Sequence, residues 1–235
     1  MPNMTMKVCK PSILLFFVWA AVTLAPSLHA QSGAVLAIGQ NMTENTAKLE
    51  QYTFKQKVEF YLKGELKKTM VSQVHFDSNG QRVSVPLEST PAAGEAQQHR
   101  GPMARKMAEQ KKDEMKDYVE RLVGLMNQYF PPSEDKIKDA AKRAEFGQPA
   151  PGQAAAIFYD YLKTGDSMTL TLLAAEKRIS EIAVKTSLDS DPVSIVVDMS
   201  QLPDETNYPA TTNLKSDAKQ VELRISTYDY QPLSK

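Results

Sequence analysis

Tyr52-Thr53-Phe54-Lys55-Gln56-Lys57-Val58-Glu59-Phe60-Tyr61-Leu62 is the stretch that decides the fold. Tyr52, Phe54, Val58, Phe60 and Leu62 fall on one side of an extended chain and Lys55, Lys57 and Glu59 on the other. That period of two predicts a half-buried antiparallel strand, because successive side chains of a strand point to opposite faces. Lys63-Gly64 follows as a tight turn. Leu66, Met70, Val74 and Phe76 then continue the apolar face, and Asp77-Ser78-Asn79-Gly80 turns the chain into a third strand over 81–87. The product is a three-stranded meander with one apolar and one charged face, so its apolar face requires cover.

Upstream, Val35, Ile38, Met42, Thr46 and Leu49 recur at spacings of three and four, which predicts a short helix over 34–50. Downstream, residues 88–101 carry Pro91, Gly94 and polar side chains and read as a linker. Pro102 suits the first turn of a helix, where its missing N–H costs nothing. Met115, Tyr118, Val119, Leu122, Val123, Met126, Tyr129 and Phe130 give the second half of that helix an apolar stripe. Its first half is charged, with Met103 and Met107 as apolar companions. Pro131-Pro132 ends the helix, Ser133 caps a second one expected to run to Phe146, and Gly147 stops it. Strands are then expected over 156–162, 168–172, 178–188, 193–199, 208–214 and 220–228, separated by turn-forming or charged residues. The expected fold class is therefore α+β: a large curved antiparallel sheet of about nine strands, an open half-barrel, with an N-terminal helix and a helical hairpin inserted at about 102–146.

A helix ending at Leu49 that leads straight into Tyr52-Thr53-Phe54-Lys55-Gln56, followed by the hairpin through Lys63-Gly64, resembles the LolA/LolB type of periplasmic lipoprotein carrier. The Gly165-Asp166 turn and the closing Tyr228-Asp229-Tyr230 are similar to a pattern of exported bacterial proteins. The resemblance implies an open half-barrel with helices over its mouth and an apolar cavity for an acyl chain or the lipid of a lipoprotein. Likeness of fold does not itself establish transport.

The N-terminus agrees with export. Lys7 and Lys10 make a basic start, 13–25 is an uncharged apolar run, and Leu28-His29-Ala30 offers a cleavage site before Gln31, so 1–30 reads as a signal peptide. The run is short for a membrane span. Cleavage would leave 205 of the 235 residues, expected as a single β-rich domain over 31–235. It would also remove Cys9, the sole cysteine, and Trp19, the sole tryptophan. Disulfides, thiolate catalysis and cysteine-ligated zinc are then excluded from the mature chain. Without Lys7 and Lys10, the 28 basic residues become 26 against 28 acidic ones, a balance that does not favour nucleic acid as a partner.

No residue set specifies a reaction. His75 and His99 have no patterned acidic or histidine companions, as a metal centre would need. Asp189-Ser190-Asp191-Pro192 reads as a turn whose spacing does not match a calcium loop. Ser167, Ser180 and Ser194 lack the glycine context of a hydrolase nucleophile, and no phosphate loop or dinucleotide fingerprint occurs. Neither catalytic residues, metal nor cofactor are assigned. The leading expectation is a periplasmic, non-enzymatic binding protein for a hydrophobic ligand or lipidated partner, with Phe54, Val58, Phe60, Met70, Val74, Leu122 and Met126 lining the site. An envelope structural or assembly protein, acting through protein contacts on the long helix, is the first alternative. A hydrolase built from scattered carboxylates is the second.

Overall fold

A computed structural model describes residue 42 and residues 44–91, 102–176 and 178–233, with 102–105 described as backbone only. The expected signal at 1–30, most of the helix expected over 34–50 and most of the linker lie outside these residues. Residues 44–49 are helical and lead into ten strands and two longer helices. The strands are β1 (Tyr52–Leu62), β2 (Glu65–Phe76), β3 (Arg82–Pro91), β4 (Glu145–Gly147), β5 (Gln153–Tyr159), β6 (Ser167–Leu173), β7 (Arg178–Leu188), β8 (Asp191–Gln201), β9 (Asn207–Ser216) and β10 (Val221–Pro232). The helices are α1 (Pro102–Tyr129) and α2 (Glu134–Ala141).

All ten strands form one antiparallel sheet in the order β3-β2-β1-β10-β9-β8-β7-β6-β5-β4. It does not close, because β3 and β4 are its two edges. From β1, third from one edge, the chain walks out to β3, crosses to the β4 edge and returns strand by strand until β10 pairs with β1. α1 and α2 belong to that crossing. Among the described residues they are the two longest helices, and they lie against β7 and β5 respectively.

Local chemistry sets the turns. Lys63 and Gly64 both have positive φ (55° and 78°), the geometry of a two-residue hairpin whose twist matches the strands. Asp77 accepts from the backbone N–H groups of Asn79 and Gln81 at 2.9 and 2.8 Å, fixing the β2–β3 turn. Ser133 caps α2, its hydroxyl accepting from the Lys136 N–H at 3.3 Å.

The structure corrects four sequence expectations. α2 stops at Ala141 rather than Phe146, and Glu145–Gly147 becomes the edge strand β4, pairing Glu145 with Ile157 and bringing the sheet, expected at about nine strands, to ten. β3 continues through Glu88 to Pro91, which faces Lys68. An edge strand accepts proline because its outer N–H needs no partner. β5 starts at Gln153 and ends at Tyr159, since Asp160 turns with φ 49° and the next residues wrap Asp166. β10 runs to Pro232, with Asp229 at φ 58° as a bulge.

The main core lies between the helices and strands β5–β10. Leu122, Tyr129, Ile137, Phe158, Leu170 and Leu214 are all fully buried there.

Candidate binding face

The inner face of the sheet has two unequal halves. Over β5–β9 it is covered by α1 and α2, and the cover is fastened by polar groups. Tyr118 shares a hydrogen bond of 2.8 Å with the buried Ser216 hydroxyl and donates to Asp191 at 3.3 Å, while Arg121 pairs with Asp189 in the β7–β8 turn. At the other end of the same stripe the Tyr129 hydroxyl bonds Asp166 and lies 2.8 Å from the Thr186 hydroxyl. Asp166 is 3% exposed, yet it also accepts the N–H groups of Tyr161, Leu162 and Lys163 at 2.6, 3.1 and 3.0 Å. Those four donors offset the cost of burying a carboxylate. Burial raises the pKa of Tyr118 and, further, that of Tyr129, and pushes Tyr161 up to about 12.

Over β1–β3 the cover thins. Val58 lies between Met70 on β2 and Ile225 on β10, and Phe60 lies between Lys68 and Leu223. Val58 and Phe60 are half-buried against the margin of the core, Met70 is half-buried beyond it, and β3 has no fully buried residue. Phe54 faces Val74 across the β1–β2 pair. Both are buried, but in a separate cluster: Phe54 stacks on Tyr230 with ring centroids 4.7 Å apart, and Tyr230 meets Tyr208 at 4.5 Å. Tyr52 completes that cluster at 6.4 Å from Tyr230 and donates its hydroxyl to Asp204, which holds the Asp204 carboxyl below its ordinary pKa.

The seven expected lining residues therefore divide. Phe54, Val74 and Leu122 are buried, whereas Val58, Phe60, Met70 and Met126 are half-buried. β1 and β2 bring five of the seven onto one surface, and α1 supplies Leu122 and Met126 to the adjoining core margin. Sequence reasoning missed Tyr208, Tyr230, Gln56 and Arg82. The bulge at Asp229 reverses the alternation, so Tyr228 stays on the outer face beside Lys55 while Tyr230 turns inward. Tyr230 donates to the Thr227 hydroxyl at 3.0 Å, and burial pushes its pKa up to about 12. Across from Thr227 in the ladder is Gln56, whose side-chain carbonyl accepts from the Arg82 guanidinium.

The outer face offers a different kind of surface. A shallow groove of about 300 Å³ is lined by Pro149, Gln153, Thr171, Ser180, Glu181 and Asp198. Ser180 donates its hydroxyl to the Thr171 carbonyl at 3.2 Å and Asp198 accepts from Thr211, so these groups are engaged in holding strands together. Among the described residues no three metal-ligating side chains converge, and no helix is long and apolar enough to cross a membrane.

No protein-family model and no curated protein matches the chain. Three solved structures overlap most of it. They are a DUF1329 family protein from Desulfovibrio piger (7% identity, TM-score 0.41, covering 86% of this chain and 93% of that one), a LolA superfamily protein from Nitrosomonas europaea (8%, 0.39, 84% and 94%) and an outer membrane lipoprotein-sorting protein domain from Vibrio parahaemolyticus (11%, 0.33, 84% and 93%). At these identities no residue's role transfers to this chain.

Proposed function

We propose that this protein is a periplasmic, non-enzymatic carrier that holds a hydrophobic ligand, or the lipid of a lipidated partner, against the β1–β3 half of its sheet. The observation that carries this reading is the incomplete cover of a continuous apolar surface. Val58, Phe60 and Met70 sit side by side and only partly buried next to a half-sheet whose equivalent positions are sealed by helices. A soluble chain gains by covering such a surface, at roughly 25 cal/mol for each Å² removed from water, and a ligand can supply that cover. In this reading Val58, Phe60, Met70 and Met126 touch the ligand, while Phe54, Val74 and Leu122 form the floor beneath it. The basic, apolar and cleavage-site segments of residues 1–30 support the periplasmic assignment.

Native mass spectrometry of the chain from Gln31, purified from its own envelope and followed by lipid extraction, tests the proposal. A stoichiometric co-purifying lipid or lipopeptide is the expected result. A bare chain that also ignores added lipids would exclude it.

One observation favours a second reading, an envelope assembly role through α1. Residues 106–114 of that helix are exposed apart from Ala108, and Met107 is 62% exposed. A protein partner bound there would be lost when Lys106 and Lys112 are reversed in charge, and would persist after delipidation.

A further inference from the structure

The open half of the inner face contains one cation whose position is not explained by folding. Arg82 opens β3 opposite Phe76, and two residues on Ser84 faces Val74, which in turn faces Phe54. Alternation therefore places Arg82 on the inner side with the apolar residues, rather than on the charged outer side with Lys55, Lys57 and Glu59. Its side chain reaches over β2 to donate to the Gln56 side-chain carbonyl on β1. The residue as a whole is exposed, but its guanidinium is desolvated, which lowers its pKa; the nearby Tyr230 phenol acts in the opposite direction. Among the described residues no carboxylate pairs with it, nor with Arg143, whereas Arg121, Arg178 and Arg224 have carboxylate partners. A guanidinium keeps its charge under all ordinary conditions and carries five donors in a planar fork, of which Gln56 engages one nitrogen. Among the described residues this cation has no anionic partner.

Its neighbours define the rest of that anion. From Gln56 the inner face continues through Val58 and Phe60 to Leu62, six residues or about 20 Å of extended strand, with Met70 and then Lys68 beside it on β2, Ile225 beside it on β10, and the buried Leu223 and Val221 sealing its far end into the main core. A polar end at Arg82 and Gln56 joined to a long apolar track has the shape of a single-chain amphiphile. Arg82 supplies one positive charge, and the other inner-face cation, Lys68, stands opposite Phe60, away from the polar end. A monoanionic head with two coplanar oxygens fits a lone guanidinium better than a dianionic one does. This inference rests on the carrier reading and narrows it: we propose that the ligand of the open half is a long-chain carboxylate, its head group held by Arg82 and its chain lying along Val58, Phe60 and Met70.

Binding of palmitate, hexadecanol and 1-palmitoyl lysophosphatidate to the mature chain and to Arg82→Gln, measured by titration calorimetry, tests this. The wild type should bind palmitate about tenfold or more tightly than hexadecanol, the difference expected of a charge-assisted pair. Arg82→Gln should erase that preference with an unchanged circular-dichroism melt, since Arg82 lies at an edge, and Arg82→Lys should restore part of it. Phe60→Ala should weaken palmitate and hexadecanol alike. A preference that survives in Arg82→Gln, or hexadecanol bound as well as palmitate, overturns the head-group assignment and leaves the carrier reading in place. Tighter binding of the lysophosphatidate than of palmitate overturns the carboxylate in favour of a phosphate. If none of the three binds the wild type, the carrier reading fails together with the inference.

Discussion

The two halves of this sheet are built from similar strands and end in different states. Ile182 and Val197 face each other across β7 and β8, as Val58 and Met70 do across β1 and β2. The first pair is about 1% exposed under α1, while the second is only partly buried. Strand sequence does not make that difference. The helices do, because their polar fasteners are all aimed at the β5–β9 side: Tyr118 at Ser216 and Asp191, Arg121 at Asp189, Tyr129 at Asp166 and Thr186. An apolar face becomes core where cover is pinned onto it, and remains a surface able to receive a ligand where it is not.

The largest expected effect lies at the pin. Asp166→Ala would leave three backbone N–H groups without their acceptor and the Tyr129 hydroxyl with Thr186 alone, and should cost about 3 kcal/mol or more in urea unfolding followed by circular dichroism. A loss below about 1 kcal/mol would show that the helices are not held there. Leu122→Ala, at a fully buried position, should cost about 2–5 kcal/mol by the same measurement. Phe60→Ala in the open half should cost less than Leu122→Ala, about 1–2 kcal/mol, because part of that ring is already in water. A reversed order of those two would erase the distinction between the halves.

A pH titration reaches both halves at once. Tyr161 under the helices and Tyr230 at the open end both have pKa values pushed up to about 12 by burial. Below pH 10 each is neutral in the folded and the unfolded chain. Between pH 10 and 12 the unfolded chain releases protons that the folded chain retains, so stability falls as pH rises through that window. Tyr161→Phe and Tyr230→Phe should each flatten the alkaline slope, read from melting temperatures between pH 9 and 12. The smallest effect belongs to Met107→Gln on the exposed half of α1, which should change stability by less than about 0.5 kcal/mol.

How much of this could be read beforehand depended on whether the signal was local. β1 was legible at its exact bounds because its alternation is carried by eleven consecutive residues, and α1 because its apolar stripe repeats over several turns. Ser133 as a cap was legible from its own chemistry. β4 was not, since three residues, Glu145-Phe146-Gly147, form a strand only because β5 presents an edge to them. The far end of β3 was hidden by Pro91, which reads as linker and is tolerated at an edge. Within the candidate site the β1 and β2 residues followed from parity alone. Tyr230 and Arg82 did not, because the first depends on a bulge that shifts parity and the second on the register of β3 against β2.

The central claim, that the β1–β3 half is the receiving surface and the β5–β9 half is fixed core, is tested most directly by hydrogen exchange of the chain from Gln31 with and without a dipalmitoyl lipopeptide. New protection should appear in 54–62 and 66–76, with residues 178–198 unchanged. Protection gained in 178–198 instead, or no change anywhere at saturating lipopeptide, would contradict it.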